Sequence, residues 1–194
     1  VLSAASSILT AGGEEALQMK DLAERAEVSL ATLYRYFPSK DHVLLALALS
    51  SYEAEVNKVL SEPVQGGTAR ERVTSHLLRE FRSQQRDPRR SGAIANVLAR
   101  ADPAYADFLE TIRHLHMRTL RHVAGPMTEQ QRQLLPIIVD NFASATRHWR
   151  TGMGSAADAR FQIRIGCHLL DLSAEQVDEE QEQAAIALPT AVRH

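Results

Sequence analysis

The sequence is poor in several things, and each shortage excludes something. A single cysteine, Cys167, leaves no internal disulfide and no cysteine-cluster zinc site. No run approaches the roughly 18 consecutive apolar residues of a membrane-spanning helix, and no segment reads as a signal peptide. A reducing cytoplasm is therefore the expected compartment, and no membrane partner is expected. Strand signals are also wanting: there is no Asn-Gly or Asp-Gly hairpin turn and no sustained period-two alternation of β-branched residues. Lysine is scarce. Only Lys20, Lys40 and Lys58 occur, and arginine supplies the other cations, for a formal net charge of -2 over 194 residues. That balance provides no general basic surplus to attract nucleic acid.

What is present, by contrast, is helix punctuation. Ser29 and Ser39 can each cap a following helix, with Asp41 in the first turn of the second. Thr68 with Glu71, and Thr128 with Gln131, have capping-box spacing, and Asp87-Pro88 and Asp102-Pro103 each place a cap before a proline at the first helical position. Breaks fall at Gly12-Gly13, Pro63, Gly66-Gly67, Gly125-Pro126 and between Gly152 and Gly154. These marks predict an all-α chain of about nine helices, near 1–11, 19–26, 29–37, 39–61, 68–86, 88–100, 103–123, 128–151 and 155–171. Pro136 predicts a kink in the eighth or a later start. The acidic, glutamine-rich stretch after Leu172 predicts a flexible tail over 173–194.

The segment "SLATLYRYFPSK", Ser29 to Lys40, carries the most specific information. Leu33 and Phe37 lie four apart and share one helical face, which with Leu22, Ala23, Ala26 and Val28 makes a miniature core. With the short helix before it and the link Ala26–Ser29, the pattern over about 18–37 is a helix-turn-helix. Ser29, Leu30 and Ala31 stand at the start of the second helix, where short side chains let a helix end approach base edges. Thr32, Tyr34 and Tyr36 offer hydroxyls to phosphates; Arg35 shares the polar side, and Lys20 and Lys40 flank the motif as point charges. Double-stranded operator DNA is the partner these residues predict.

"AERAEVSLATLYRYFPSK" also resembles the signature of the TetR family of bacterial transcriptional regulators, down to the Thr-Leu-Tyr-Arg-Tyr-Phe core and the Ser-Lys that opens the next helix. The order of short helices followed by long ones is similar over nearly the whole chain. Within that family, "ALQMKDLAERAEVS" with "TLYRYFPSK", and the stretch from Trp149 through "SAADARFQIRIGCHLL", look most like actinobacterial steroid-catabolism repressors of the KstR type. Two departures stand out. Glu27 occupies a turn position where the family commonly has glycine, and Gln18 a helix start where it usually has Thr or Ser. Residues 1–60 also hold five cations against eight acids, a net of -3. The family usually has a basic segment just before this point, and such a segment is expected ahead of Val1.

The resemblance implies a DNA-binding domain over 1–45 and a ligand-binding and dimerisation domain over 46–172. It further implies a homodimer formed through helices near 128–151 and 155–171, and release from DNA by a small molecule. On the ninth helix, Phe161, Ile165, Leu169 and Leu172 form one apolar stripe while Ile163, Cys167 and Leu170 lie elsewhere, so one stripe should meet the body and the other a partner. Candidate ligand-binding residues are Phe81, Val97, Leu98, Tyr105, Phe108, Ile112, His116, Phe142 and Trp149, an apolar set that suits a steroid or an acyl thioester. His116, on the apolar face, is its polar member.

No cofactor is expected. His114, His116 and His122 do not make a metal site, because residues two apart on a helix do not face one point and no carboxylate stands at a useful offset. "RDPRR" at Arg86–Arg90 reads as a solvated helix start. The competing reading is an enzyme or carrier for an apolar substrate. Against it, the chain has no nucleophile elbow, no phosphate loop and no His-Cys or His-Ser pair at motif spacing.

Overall fold

The computed structural model describes residues 1–64, 66–100, 102–173 and 175–179, and among them it is all-α. Helix α1 (Leu2–Gly12) buries Ala5, Ile8 and Leu9 and stops at Gly13, whose φ of 72° suits a residue without a side chain. A short 3-10 turn, Glu14–Ala16, leads to α2 (Met19–Arg25) and α3 (Leu30–Tyr36). Their apolar sides meet the first half of α4 (Lys40–Ser61), where Val43, Leu44, Leu45 and Leu47 are buried. These elements form the head.

The body follows as α5 (Ala69–Arg86), α6 (Pro88–Leu98), α7 (Ala106–Ala124), α8 (Glu129–Arg150) and α9 (Ala156–Cys167). Capping boxes open α5 and α8 as their sequences predict, and Asp87 accepts the Arg90 N–H at 3.1 Å to start α6. A second core runs from Val73, Leu77 and Phe81 of α5 through Leu120 of α7 to Leu135, Ile138 and Phe142 of α8 and Ile163 of α9. Helices α8 and α9 pack so closely that a Cβ added to Gly166 would lie 2.7 Å from Asn141 Oδ1. The second half of α4 lies along α7, so one helix joins head to body.

Three features depart from the sequence reading. Helix α8 starts at Glu129, ahead of Pro136, and continues through it, so the later start is not found; the capping box of Thr128 and Gln131 fixes the earlier one. Residues 175–179, expected in the flexible tail, are helical, reciprocally capped by Ser173 and Gln176, and bury Val177. The rest of that tail, 180–194, lies outside the described residues. Finally, the head core does not close at residue 45. Ala93 and Val97 of α6 are buried in it, and Ile94, Leu98, Tyr105 and Phe108 pack against it. Polar bonds fasten the same seam: Thr10 Oγ1 donates to Asp87 at 2.6 Å, Arg90 to Ser6 Oγ at 3.2 Å, and Arg100 pairs with both Glu14 and Asp41.

Candidate nucleic-acid interface and the polar centre of the body

Helix α3 is held on one side and free on the other. Leu33 is buried in the head core, with Phe37 and Val28 packed against it. Ser29 caps the helix, its Oγ accepting the Thr32 N–H at 3.0 Å and donating to Thr32 Oγ1 at 2.8 Å. Ser29, Leu30, Ala31, Tyr34, Arg35 and Tyr36 are all exposed, and Thr32 is half-buried. Tyr36 keeps 67% of its surface and carries the Arg35 guanidinium 5.0 Å from its ring centre. Exposed tyrosines and a leucine on a rigid helix present apolar and hydroxyl-bearing surface that a monomer's own packing does not need.

Lys20 is exposed on the first turn of α2. Lys40 differs from the simple picture of a free flanking cation. It is half-buried, its Nζ donates to the Glu14 carbonyl at 3.4 Å, and it lines a crevice of about 490 Å³ between the head and α6. The turn between α2 and α3 has the expected strain: Glu27 adopts a φ of 54°. Gln18 provides no side-chain cap to α2, and its Nε2 donates back to the Glu15 carbonyl at 3.0 Å.

Seven of the nine residues expected to line one ligand site divide between the two cores. Val97, Leu98, Tyr105 and Phe108 belong to the head core, because α6 and the start of α7 turn toward α1 and α4. Phe81, Phe142 and Trp149 belong to the body core, where Trp149 stands edge-on to Phe81 with ring centres 5.1 Å apart. Ile112 and His116 are buried farther along α7. Four of the nine thus pack with the head core and three with the body core, while Ile112 and His116 are buried on α7.

Around His116 the body has a polar centre that sequence reasoning largely missed. Tyr52 of α4 lies 5.8 Å from the His116 ring and Phe142 of α8 6.2 Å from it. Glu80 of α5 places Oε2 3.4 Å from His116 Nε2, close enough for an ion pair. Burial opposes charge on His116, yet the Glu80 carboxylate outweighs burial and raises its pKa. Burial likewise opposes charge on Glu80, and His116 overcomes it to lower that pKa. His76, one turn before Glu80, is pushed by burial from 6.5 to about 4. Burial above all, then Glu80, raises the Tyr52 pKa. Arg150, whose pKa burial lowers, donates to Gln84 at 3.3 Å. The signal for Glu80 and His76 was in the sequence: both interrupt the apolar stripe of Val73, Leu77 and Phe81 at helical spacing.

Residues 1–47 match the family model described as bacterial regulatory proteins, tetR family. The chain is 32% identical over 178 residues to the HTH-type transcriptional repressor KstR of Mycolicibacterium smegmatis, covering 91% of this chain and 87% of that protein. It is 31% identical to KstR of Mycobacterium tuberculosis over 88% of this chain and 78% of that one. Among solved structures, a TetR transcriptional regulator from Rhodococcus sp. RHA1 is similar with a TM-score of 0.75 and 28% identity, over 89% of this chain and 94% of that one. The transcriptional regulator FadR from Bacillus subtilis, in complex with stearoyl-CoA, shares the fold at a TM-score of 0.63 and 16% identity, over 87% of this chain and 95% of that one.

Proposed function

The chain belongs to the TetR family of bacterial transcriptional regulators and is of the KstR type, and from that premise we propose that it is a homodimeric repressor which an apolar small molecule releases from its operator. Its relatives over most of its length are named transcriptional repressors, which disfavours the enzyme or carrier reading. The observation that carries the proposal is α3, a capped helix with one face locked by Leu33 and the other exposing Leu30, Tyr34, Arg35 and Tyr36. Ser29, Leu30 and Ala31 approach base edges at its N-terminal end. Thr32, Tyr34, Arg35 and Tyr36 set the helix on the phosphates, and Lys20 and Lys40 add charge from the flanks. Lys40 reaches a phosphate by giving up its long bond to the Glu14 carbonyl.

The homodimer rests on α8 and α9. Ile163, Cys167 and Leu170 face the body core, whereas Ile137, Phe161 and Ile165 are exposed, Phe161 by 67%. Covering such side chains in a second copy gains about 25 cal/mol per Å² of apolar surface. Two heads then present α3 helices about 34 Å apart, one turn of duplex. A ligand that prefers a different head spacing shifts the population away from the DNA-bound form. Phe142 beside His116, in one apolar core with Phe81 and Trp149, supports an apolar ligand such as a steroid or an acyl thioester.

Footprinting on the DNA flanking the protein's own gene tests the reading. Two protected half-sites about one helical turn apart are expected. Phe161→Arg with Ile165→Arg should give monomers in sedimentation and abolish protection. Absence of protection, together with no salt-sensitive binding to random duplex at low ionic strength, would overturn it.

A further inference from the structure

Helices α4, α5, α7 and α8 each send polar side chains into the middle of the body: Tyr52, His76 with Glu80, His116, and Arg150. Core stability does not account for this. A buried ion pair is often no more stabilising than apolar side chains of the same volume, since desolvation opposes the mutual attraction. The hydrogen bonding is also incomplete. His116 is 8% exposed, and its Nε2 lies fully covered at 3.4 Å from Glu80 without a well-aligned hydrogen bond. Buried donors normally have partners. Glu80 keeps 22% of its side-chain surface accessible, so its carboxylate is not sealed from solvent.

We infer that Glu80, His116 and Tyr52 form the polar end of the ligand site and recognise a hydroxyl group carried by an apolar molecule. The inference rests on reading the body as the site of a small-molecule inducer. A carboxylate accepts only, while an imidazole N–H and the phenol can donate. A hydroxyl donates its hydrogen to Glu80 and accepts from His116 or Tyr52, so one group satisfies both sides. A ketone accepts from the same donors and leaves Glu80 without a new one. A carboxylate ligand sets like charge beside Glu80, which disfavours both ionised forms. Arg150 is a competing attraction for an anion, and its guanidinium already donates to Gln84 at 3.3 Å. Phe142, its ring centre 6.2 Å from that of His116, is the apolar neighbour, and Phe81 and Trp149 belong to the same core.

Trp149 is the only tryptophan of the chain and stacks edge-on against Phe81, so its emission reports on occupancy. Titration of the full chain with decan-1-ol, decan-2-one and decanoic acid at neutral pH compares three heads on one chain length. The alcohol should bind roughly ten-fold more tightly than the acid, and Glu80→Gln should weaken it by roughly ten-fold while changing the ketone little. Should Glu80→Gln not fold, Glu80→Gln with His116→Gln removes the carboxylate and the imidazole together at similar volume and should show the same loss for the alcohol. Equal binding of all three probes, tighter binding of the acid, or an alcohol affinity indifferent to either variant would overturn the hydroxyl assignment and leave an apolar inducer site standing. If none of the three altered Trp149 emission, the apolar site itself would fall, and this assignment with it.

Discussion

Acidification should destabilise this protein mainly through His76. The side chain is 3% exposed, and burial lowers its pKa from 6.5 to about 4. Glu80 partly offsets burial, while Arg79 and then His116 reinforce it. Between those two values the unfolded chain holds a proton on His76 that the folded protein does not. Stability therefore falls as pH drops below 6.5 and has lost the whole contribution by about pH 4. A window of that width corresponds to about 3 kcal/mol, taking about 1.4 kcal/mol per pH unit. His116 and Glu80 act in other pH ranges. The raised pKa of His116 gives stability that is complete below 6.5 and lost as pH rises through its folded value, and the lowered pKa of Glu80 gives stability lost only as pH falls below 4.5. Urea unfolding at pH 6.5, 5.5 and 4.5 should show a falling midpoint with a constant slope. In His76→Gln that fall should largely vanish. An equal fall in the variant, or none in the natural chain, refutes the account.

Three further outcomes follow from the geometry. Glu27→Gly relieves the φ of 54° and should stabilise the head by about 1 kcal/mol in thermal unfolding; destabilisation would mean that the Glu27 side chain contributes more than the strain costs. Lys40→Ala should weaken binding to operator and random duplex alike and reduce the salt dependence by about one unit of slope, and unchanged salt dependence would remove Lys40 from the phosphate contacts. Arg100→Ala breaks the pairs with Glu14 and Asp41, in which the Arg100 side chain is 35% exposed. The loss should be about 1 kcal/mol or less at low salt and smaller in 1 M NaCl, whereas equal losses would show a packing role instead.

The helix boundaries and the DNA-reading face could be read from the sequence because their causes are local. A cap needs a hydroxyl or carboxyl and an N–H three residues on, so Ser29, Thr68 with Glu71, Asp87-Pro88 and Thr128 with Gln131 mark their helices without reference to anything distant. The opening helix has its dry side settled by the four-residue spacing of Leu33 and Phe37, which leaves Tyr34, Arg35 and Tyr36 exposed by subtraction. Allegiance between cores is another matter. An apolar stripe specifies that a face is buried and not against what, so only the packed structure separates Val97, Leu98, Tyr105 and Phe108, in the head core, from Phe81 and Trp149, in the body core. The same holds for the two stripes of α9, of which Ile163 and Cys167 turned inward and Phe161 and Ile165 outward. The polar centre depends still more on tertiary structure. Tyr52, Glu80, His116 and Arg150 come from four helices spread over a hundred residues, and the charge state of each is set by burial and by the others, quantities that exist only once those helices have packed.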